Sequence, residues 1–142
     1  MLEQSAGQNT PSSSADGQIV EVRLPATAMH LPIVRTLTAD LAARLDFNLD
    51  EVADLRMAVD EACSGLVARA AAPTELRCAF RWEADKLWIE SSARTIDGTA
   101  PARDTFGWRV LTALVDSVDA EAEAETGLVT VTLCKQRSGI DA

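Results

Sequence analysis

Few residues of this chain are of types that carry chemistry. There is one histidine, His30, so a Ser-His-Asp triad would have to use it, and metal sites built from several histidines are excluded. The three cysteines, Cys63, Cys78 and Cys134, are odd in number and show no C-x-x-C spacing. They indicate neither a disulfide framework nor a zinc site, and they favour a reducing compartment, the cytoplasm. Cys63 and Cys78 also fall on apolar faces, which is typical of small core residues.

Glu61 and Gly65 share one flank of the strongest predicted helix, residues 49–71, which begins after Asn48 as N-cap. At about 100° per residue, Glu61 lies roughly 130° from the middle of the apolar face, and Gly65 follows one turn later. Glu61 is then either a functional carboxylate or an ordinary solvated helix residue. A glycine inside a helix costs about 1 kcal/mol relative to alanine, which favours close packing as the reason for Gly65.

The elements around this helix follow from apolar periodicity. A strand is predicted at 18–24, a helix at 29–45, and a hairpin at 74–83 and 86–93, followed by a loop at 94–103. A third helix is predicted at 105–118, with four residues facing the core: Phe106, Val110, Leu114 and Val118. The alternation in VDAEAEAE and then LVTVTLC favours a second hairpin. The order β-α-α-β-β-α-β-β predicts an α+β two-layer sandwich, with helices on one face of a mainly antiparallel, mixed sheet.

Composition indicates one acidic globular domain. The chain has 142 residues, a length close to the commonest domain size, and a net charge of −9. This charge argues against nucleic-acid binding and favours a basic protein partner. No apolar run is long enough for a membrane span, and no signal peptide is indicated. We expect a disordered tail at 1–17, a domain at 18–136 and a frayed C-terminus at 137–142.

Three segments in register carry a family resemblance. The segment DLRMAVDEACSGLV, the helix before it and the later FGWRVLTALVDSV resemble the anti-sigma-factor serine kinases of the histidine-kinase-like (GHKL) ATPase superfamily, most of all their actinobacterial members. The resemblance covers nearly all of residues 18–135. It implies the Bergerat, or histidine-kinase-like, fold.

The first family motif has the form Glu-Ala-x-x-Asn. In the family, the glutamate is a general base toward a serine of an antagonist protein, and the asparagine holds Mg²⁺ between the ATP phosphates. Glu61 and Ala62 match this motif, so the resemblance implies a catalytic role for Glu61 and implies ATP and Mg²⁺ as cofactors. Gly65 stands at the asparagine position and offers no side-chain oxygen, so one Mg²⁺ ligand is lost and no residue is assigned to a metal.

The two other nucleotide motifs are also altered. For Asp-x-Gly-x-Gly, which reads adenine, one register gives Ser91, Ala93 and Thr95, and a later register gives Asp97 and Gly98. For Gly-x-Gly, at the start of the helix on the phosphate side, Thr105 stands at the first position and Gly107 at the second. The resemblance therefore implies a cofactor site of six residues with weakened nucleotide chemistry: Glu61, Gly65, Asp97, Gly98, Thr105 and Gly107.

The resemblance also implies a surface for protein partners. Family members form homodimers that clamp a basic sigma factor through the first strand–helix junction and the first helix. An arginine ten residues after the strand-ending proline contacts both the sigma factor and its anti-anti-sigma antagonist, a protein of the STAS type. Counting from Pro25 places this role on Arg35, with His30 and Leu31 in the same junction. Arg35 lies off the apolar stripe, which also fits an ordinary surface charge.

Three functions follow as hypotheses. The first is an anti-sigma factor that sequesters an alternative sigma factor and is released by the antagonist, without turnover of ATP. The second is an active ATP-dependent serine kinase that phosphorylates the antagonist. The third is a degenerate domain with another signalling role, such as dimerisation. The altered motifs favour the first, because phosphoryl transfer depends on a complete set of positioning groups.

Overall fold

The computed structural model describes residues 18–139, so the tail predicted at 1–17 and the end of the chain, 140–142, lie outside the described residues. The predicted order of elements is confirmed in the described range. The elements are β1 (Gln18–Pro25), α1 (Leu31–Arg44), α2 (Leu49–Ala68), β2 (Glu75–Glu83), β3 (Lys86–Arg94), α3 (Phe106–Leu114), β4 (Ser117–Ala122) and β5 (Leu128–Gln136). A 3-10 turn, Ala28–His30, precedes α1. No helix within the described range is long and apolar enough to cross a membrane.

The strands form one sheet in the order β1-β2-β3-β5-β4. Alternating side chains of each strand point toward the helices, and Phe80, Ile89 and Leu133 lie opposite one another across β2, β3 and β5. They join Leu55 and Val59 of α2 in one hydrophobic cluster. The predicted α+β fold, with helices on one face of the sheet, is confirmed. Between residues 18 and 139 all four strand pairings are antiparallel, whereas a mixed sheet is the expectation from sequence.

The start of α2 is fixed by a capping box. The Asn48 side chain accepts a hydrogen bond from the backbone N–H of Glu51 at 2.8 Å, and the Glu51 carboxylate accepts one from the backbone N–H of Asn48 at 2.9 Å. Two backbone donors that a helix start leaves unpaired are thereby satisfied. The prediction of Asn48 as N-cap is confirmed.

The C-terminal segment is anchored beyond the end of β5. The backbone N–H of Arg137 donates to the carbonyl of Asp85 at 2.7 Å, and that of Ser138 donates to the Glu51 carboxylate at 2.8 Å. Residues 137 and 138 of the segment predicted to fray are therefore held by hydrogen bonds to two distant parts of the chain.

The third helix is shorter than predicted. It ends at Leu114, because Val115 has extended backbone angles and the Lys135 ammonium donates to the carbonyl of Leu114 at 2.8 Å. Val118 therefore belongs to β4 rather than to the helix. The predicted buried face is correct in part: Leu114 and Val118 pack partly buried against the core, whereas Phe106, the first helical residue, is 79% exposed. The residues buried from this segment are Trp108, Leu111 and Val115.

Candidate functional site

A pocket of about 150 Å³ lies between α2, the start of α3 and the loop before α3. Four of the six residues predicted for the cofactor site line it: Glu61, Gly65, Thr105 and Gly107. The remaining wall consists of Ala62, Leu66, Arg69, Thr95, Pro101, Trp108, Leu111 and Val131. Two helices separated by some forty residues in sequence thus bring most of the predicted residues together.

Glu61 is positioned by direct contact with Gly107. A Cβ atom built on Gly107 would lie 2.6 Å from Glu61 Oε2, closer than side-chain carbons approach other atoms. Glycine at position 107 therefore lets the carboxylate lie against the start of α3. A carboxylate in a pocket can accept a proton from a hydroxyl group, so the geometry is compatible with general-base chemistry at Glu61.

Gly65 has open space around it, contrary to the close packing expected from sequence. A Cβ built at this position would meet nothing within 4 Å, because the residue lies on the exposed flank of α2. The position can hold a larger side chain, and glycine supplies no ligand oxygen. Mg²⁺ requires oxygen ligands in octahedral geometry, and glycine at this position leaves out the one side-chain oxygen that the motif would contribute beside the phosphates.

Of the five residues predicted to read adenine in the two registers, Thr95 lines the pocket and the other four do not. Ser91 and Ala93 are 1% exposed and point into the core. Asp97 and Gly98 of the later register lie beside the pocket, next to Arg69, rather than in its lining. The Asp97 carboxylate is instead bonded to Arg69 at 2.7 Å, and this guanidinium, with the backbone N–H of Thr99, lowers the pKa of Asp97.

Thr105 is the N-cap of α3. Its hydroxyl accepts a hydrogen bond from the backbone N–H of Trp108 at 3.2 Å and donates to the carbonyl of Ala102 at 3.1 Å. A glycine at this position would leave that N–H open to a ligand, whereas threonine occupies it. The start of α3 is thus stabilised by its own side chain.

Arg69 is the charged residue of the pocket that the sequence analysis misses. It lies four residues after Gly65, and residues spaced by four lie on the same side of a helix. That spacing could have identified it. It was not apparent because Arg69 belongs to none of the three motifs.

The residues predicted for partner binding lie on α1 and in the 3-10 turn before it, and none of them lines the pocket. Arg35 forms an ion pair with Asp60 of α2, with 2.7 Å between Nη1 and Oδ1, and both side chains are 38% exposed. His30 Nδ1 lies 2.9 Å from the Thr27 hydroxyl at the start of the helix. The prediction for Leu31 needs correction: the residue is 8% exposed and its side chain packs in the hydrophobic core cluster, so little of it is open to a partner.

A shallow groove between α1 and α2 surrounds Arg35. We call it the α1–α2 groove; it is lined by Pro32, Arg35, Thr36, Arg56, Met57 and Asp60. Met57 is 55% exposed, and the α1 side of the same surface adds Met29 at 78% and Ile33 at 49%. Exposed apolar side chains beside an arginine are typical of protein-binding surfaces.

Comparisons with known proteins identify relatives. No family model matches the chain. It is 37% identical over 99 residues to the anti-sigma-F factor RsbW of Mycobacterium tuberculosis, which covers 70% of this chain and 59% of that protein. It is 35% identical over 51 residues to the serine-protein kinase RsbW of Bacillus thuringiensis, which covers 36% of this chain and 32% of that protein.

A solved structure has the same fold. The crystal structure of the RsbU and RsbW domains of Rv1364c from Mycobacterium tuberculosis matches with a TM-score of 0.69 at 19% identity, over 84% of this chain and 32% of that one. The chain spans about three fifths of the length of the mycobacterial anti-sigma factor and about one third of the length of the Bacillus kinase. In sequence the chain is thus a relative of proteins named anti-sigma-F factor RsbW and serine-protein kinase RsbW, and it shares its fold with part of the solved RsbU–RsbW structure.

Proposed function

We propose that the chain is an anti-sigma factor that sequesters an alternative sigma factor and is released by an anti-anti-sigma antagonist. The observation that carries the proposal is that residues of the nucleotide motifs are altered in and beside the pocket of a chain related to a named anti-sigma factor. Gly65 supplies no metal ligand, and the Asp97 carboxylate is bonded to Arg69. The fold and the motif residues Glu61 and Gly107 are retained, while the asparagine ligand for Mg²⁺ and the first glycine of the phosphate-side motif are replaced by Gly65 and Thr105.

The size of the pocket supports the same function. Ligand pockets usually measure about 300–1,000 Å³. The pocket beside Glu61 measures about 150 Å³, and Trp108, Leu66 and Leu111 supply apolar walls. A nucleotide would have to displace part of this wall or the loop beside it. Each displacement reduces affinity, because the free energy of rearrangement is subtracted from that of binding.

The α1–α2 groove is the proposed partner surface. Exposed methionines adapt to irregular partner surfaces, and Arg35 provides a directional donor next to them. The net charge of −9 raises the rate of association with a basic sigma factor. Among the predicted partner residues, Arg35 lines the proposed surface, His30 lies before α1 outside that lining, and Leu31 lies in the core.

Partner exchange requires no chemical step. A sigma factor and an antagonist that need the same surface exclude each other. The partner with the higher ratio of free concentration to its own dissociation constant is then the one mainly bound. We include in the proposal a homodimer and a cytoplasmic site of action, where sigma factors operate. Residues 18–136 form the proposed functional domain.

The decisive measurement is capture of a cognate sigma factor, with and without millimolar ATP and Mg²⁺. We expect one dissociation constant under both conditions, within about twofold, because the pocket does not assemble around nucleotide. A complex that forms only with ATP would contradict the proposal. So would failure to bind the sigma factor under either condition.

The second function is an active serine kinase of the same fold, and the position of Glu61 favours it. Its carboxylate lies in the pocket, against Gly107, where it can receive the proton of a serine hydroxyl. Transfer of radiolabel from ATP to the antagonist, abolished by Glu61→Ala, would establish the kinase. Calorimetry that detects no binding at millimolar ATP with Mg²⁺ would exclude it.

Gly65→Asn tests the lost-ligand argument directly. The open space at this position accepts the side chain, and its amide oxygen restores one candidate Mg²⁺ ligand. We expect nucleotide affinity in the presence of Mg²⁺ to rise by about tenfold, the scale on which single groups tune metal sites. Isothermal titration of the two proteins with ATP provides the measurement.

Gly65→Ala is the matched control for that experiment. Alanine has the higher helix propensity, so this variant should be more stable than the wild type by about 0.5–1 kcal/mol and should gain no affinity. If alanine raises affinity as much as asparagine, helix stabilisation explains the gain, and the missing ligand is not the cause.

A further inference from the structure

The side chain of Arg69 holds the loop beside the pocket at three atoms. Its Nη2 donates to Asp97 Oδ1 at 2.7 Å, to the Thr99 carbonyl at 2.9 Å and to the Thr99 hydroxyl at 2.7 Å. We call residues 95–104 the pocket loop, because Thr95 and Pro101 line the pocket from it. The contacts link the end of α2 to the part of the chain that the family motif would use for adenine.

The backbone of α2's last turn reaches the same loop. The backbone N–H of Ile96 donates to the carbonyl of Arg69 at 2.8 Å, and Ala70 pairs with Thr95 as an isolated antiparallel bridge. The start of the pocket loop is therefore fixed by main-chain bonds that a side-chain substitution leaves intact. The Arg69 guanidinium adds the contacts further along, at Asp97 and Thr99.

The far side of the pocket loop is held by the second hairpin. Gly98 has φ +62 and approaches Gly127 so closely that a Cβ at position 98 would lie 3.1 Å from Gly127 Cα. At the end of the loop, Arg103 bonds to Asp119 of β4 at 2.9 Å and lies over the ring of Trp108, 4.7 Å from its centroid. Arg69 is thus the central member of a set of contacts along the loop.

An exposed ion pair contributes little by itself, typically about 0–1 kcal/mol. Arg69 differs because one guanidinium nitrogen serves a carboxylate, a carbonyl and a hydroxyl, all within three residues of the loop. Asp97 Oδ1 also accepts from the backbone N–H of Thr99 at 3.2 Å, so the carboxylate lies at the centre of a small network. Groups that form a network stabilise one another more than isolated pairs do.

We propose that Arg69 is a positioning residue that holds the pocket loop over the pocket without nucleotide, by occupying the Asp97 carboxylate. This inference rests on the proposed function, since it explains how the site keeps one conformation during nucleotide-independent partner binding. A ligand shifts a conformational equilibrium only by its difference in affinity for the two states. Because Arg69 already holds the loop in one conformation, binding of ATP would change the conformational equilibrium of the loop little.

Hydrogen exchange of the full chain, read by mass spectrometry, tests the proposal. In Arg69→Ala we expect amides of residues 97–104 to exchange about tenfold faster than in the wild type, with the Ile96 amide and the sheet amides unchanged. Arg94→Ala is the matched control, because Arg94 is exposed and flanks the loop at the end of β3. It should leave the loop at the wild-type rate. Millimolar ATP with Mg²⁺ should not slow exchange of the wild-type loop.

A second variant keeps the test decisive if Arg69→Ala loosens the whole domain. Arg69→Lys retains the charge and a donor but loses the planar fork, so its loop should exchange at an intermediate rate. Trypsin cleavage after Arg103 reports the same opening and should be fastest in Arg69→Ala. Equal loop exchange in Arg69→Ala and the wild type would overturn the proposal, as would strong protection of the wild-type loop by ATP.

Capture of the sigma factor, measured on the same variants, separates this inference from the proposed function. Arg69→Ala that loosens the loop while retaining capture supports both. A wild type that fails to capture the sigma factor overturns the proposed function, whatever the exchange rates of the loop are.

Discussion

Replacing Arg35 with glutamate is expected to weaken capture of the sigma factor by at least about thirtyfold, equivalent to roughly 2 kcal/mol. Arg35 lies in the α1–α2 groove with a donor 2.7 Å from Asp60, and both side chains are partly exposed. A glutamate here replaces the donor by an acceptor and places a second carboxylate beside Asp60. The groove would then repel any acidic group of the partner that Arg35 binds.

The substitution should leave the fold intact. An exposed ion pair contributes about 0–1 kcal/mol to stability, and Arg35 is not part of the hydrophobic core. Thermal unfolding of the variant close to that of the wild type would show that a loss of capture reflects the surface. Surface plasmon resonance, with the sigma factor immobilised, gives the two dissociation constants.

Arg44→Glu is the matched control, on the same helix. Arg44 forms an ion pair with Asp40 at 2.9 Å, so this variant also reverses one charge and breaks one ion pair with an aspartate. It lies nine residues further along α1, about 13 Å away at 1.5 Å per residue. Both variants change the net charge by the same amount. Equal loss of capture in the two would mean that net charge decides binding and that the interface lies elsewhere.

Most of the fold could be predicted from local patterns. The alternation in β2 and β3 and the N-cap at Asn48 are determined by neighbouring residues, and the structure contains both. The end of α3 could not be predicted in this way. Lys135, twenty-one residues away, donates a hydrogen bond to the carbonyl of Leu114, and Val115 adopts an extended backbone conformation. Such a contact depends on how β5 packs against the helix and leaves no trace in the helix's own periodicity.

The candidate site shows the same difference between features set by local sequence and contacts between distant segments. Motif spacing identified Glu61, Gly65, Thr105 and Gly107, because each occupies a fixed position in a helix or at its start. The contact between Arg69 and Asp97 could not be predicted from motif spacing, because it joins two residues that are twenty-eight positions apart. Local patterns report which face a residue occupies, but not which distant side chain meets it there.

Leu31 and Gly65 illustrate the opposite error. The resemblance implies a contact role for the junction before α1, yet the Leu31 side chain is needed in the core. Helix propensity favours close packing at Gly65, yet the space around it is open. In both cases a residue's neighbours along the chain are known from sequence, whereas its neighbours in space are not.

Glu51→Ala is expected to destabilise the domain by about 2–3 kcal/mol. The Glu51 carboxylate is 9% exposed and accepts from two backbone N–H groups, those of Asn48 at 2.9 Å and Ser138 at 2.8 Å. Loss of a helix cap costs about 1 kcal/mol, and loss of a hydrogen bond to a charged group costs about 1.5–3 kcal/mol. Because the carboxylate joins the start of α2 to the C-terminal segment, alanine releases both. Urea unfolding measures the difference.

Asp50→Ala is the control that separates this carboxylate from its neighbour. Asp50 lies in the same first turn and is exposed, so its substitution removes an equal charge near the positive end of the helix. That interaction contributes about 0.3–1 kcal/mol. If the two variants lose the same stability, the helix dipole explains the effect of Glu51, and its bonds to Asn48 and Ser138 contribute nothing further.

Glu51 should also make the stability of the domain depend on pH in the acid range. Burial raises the pKa of its carboxyl, but the hydrogen bonds from Asn48 and Ser138 outweigh burial, so the folded-state pKa lies below its ordinary value of 4.5. A lowered pKa stabilises the fold fully above the unfolded-state value, and that stabilisation is lost as the pH falls through the folded-state pKa. The stability gap between the wild type and Glu51→Gln should therefore be constant near neutral pH and should narrow below about pH 4.5. A gap that widens on acidification would mean that the carboxyl is bound in its protonated form, and the two backbone N–H groups would then not be what holds it.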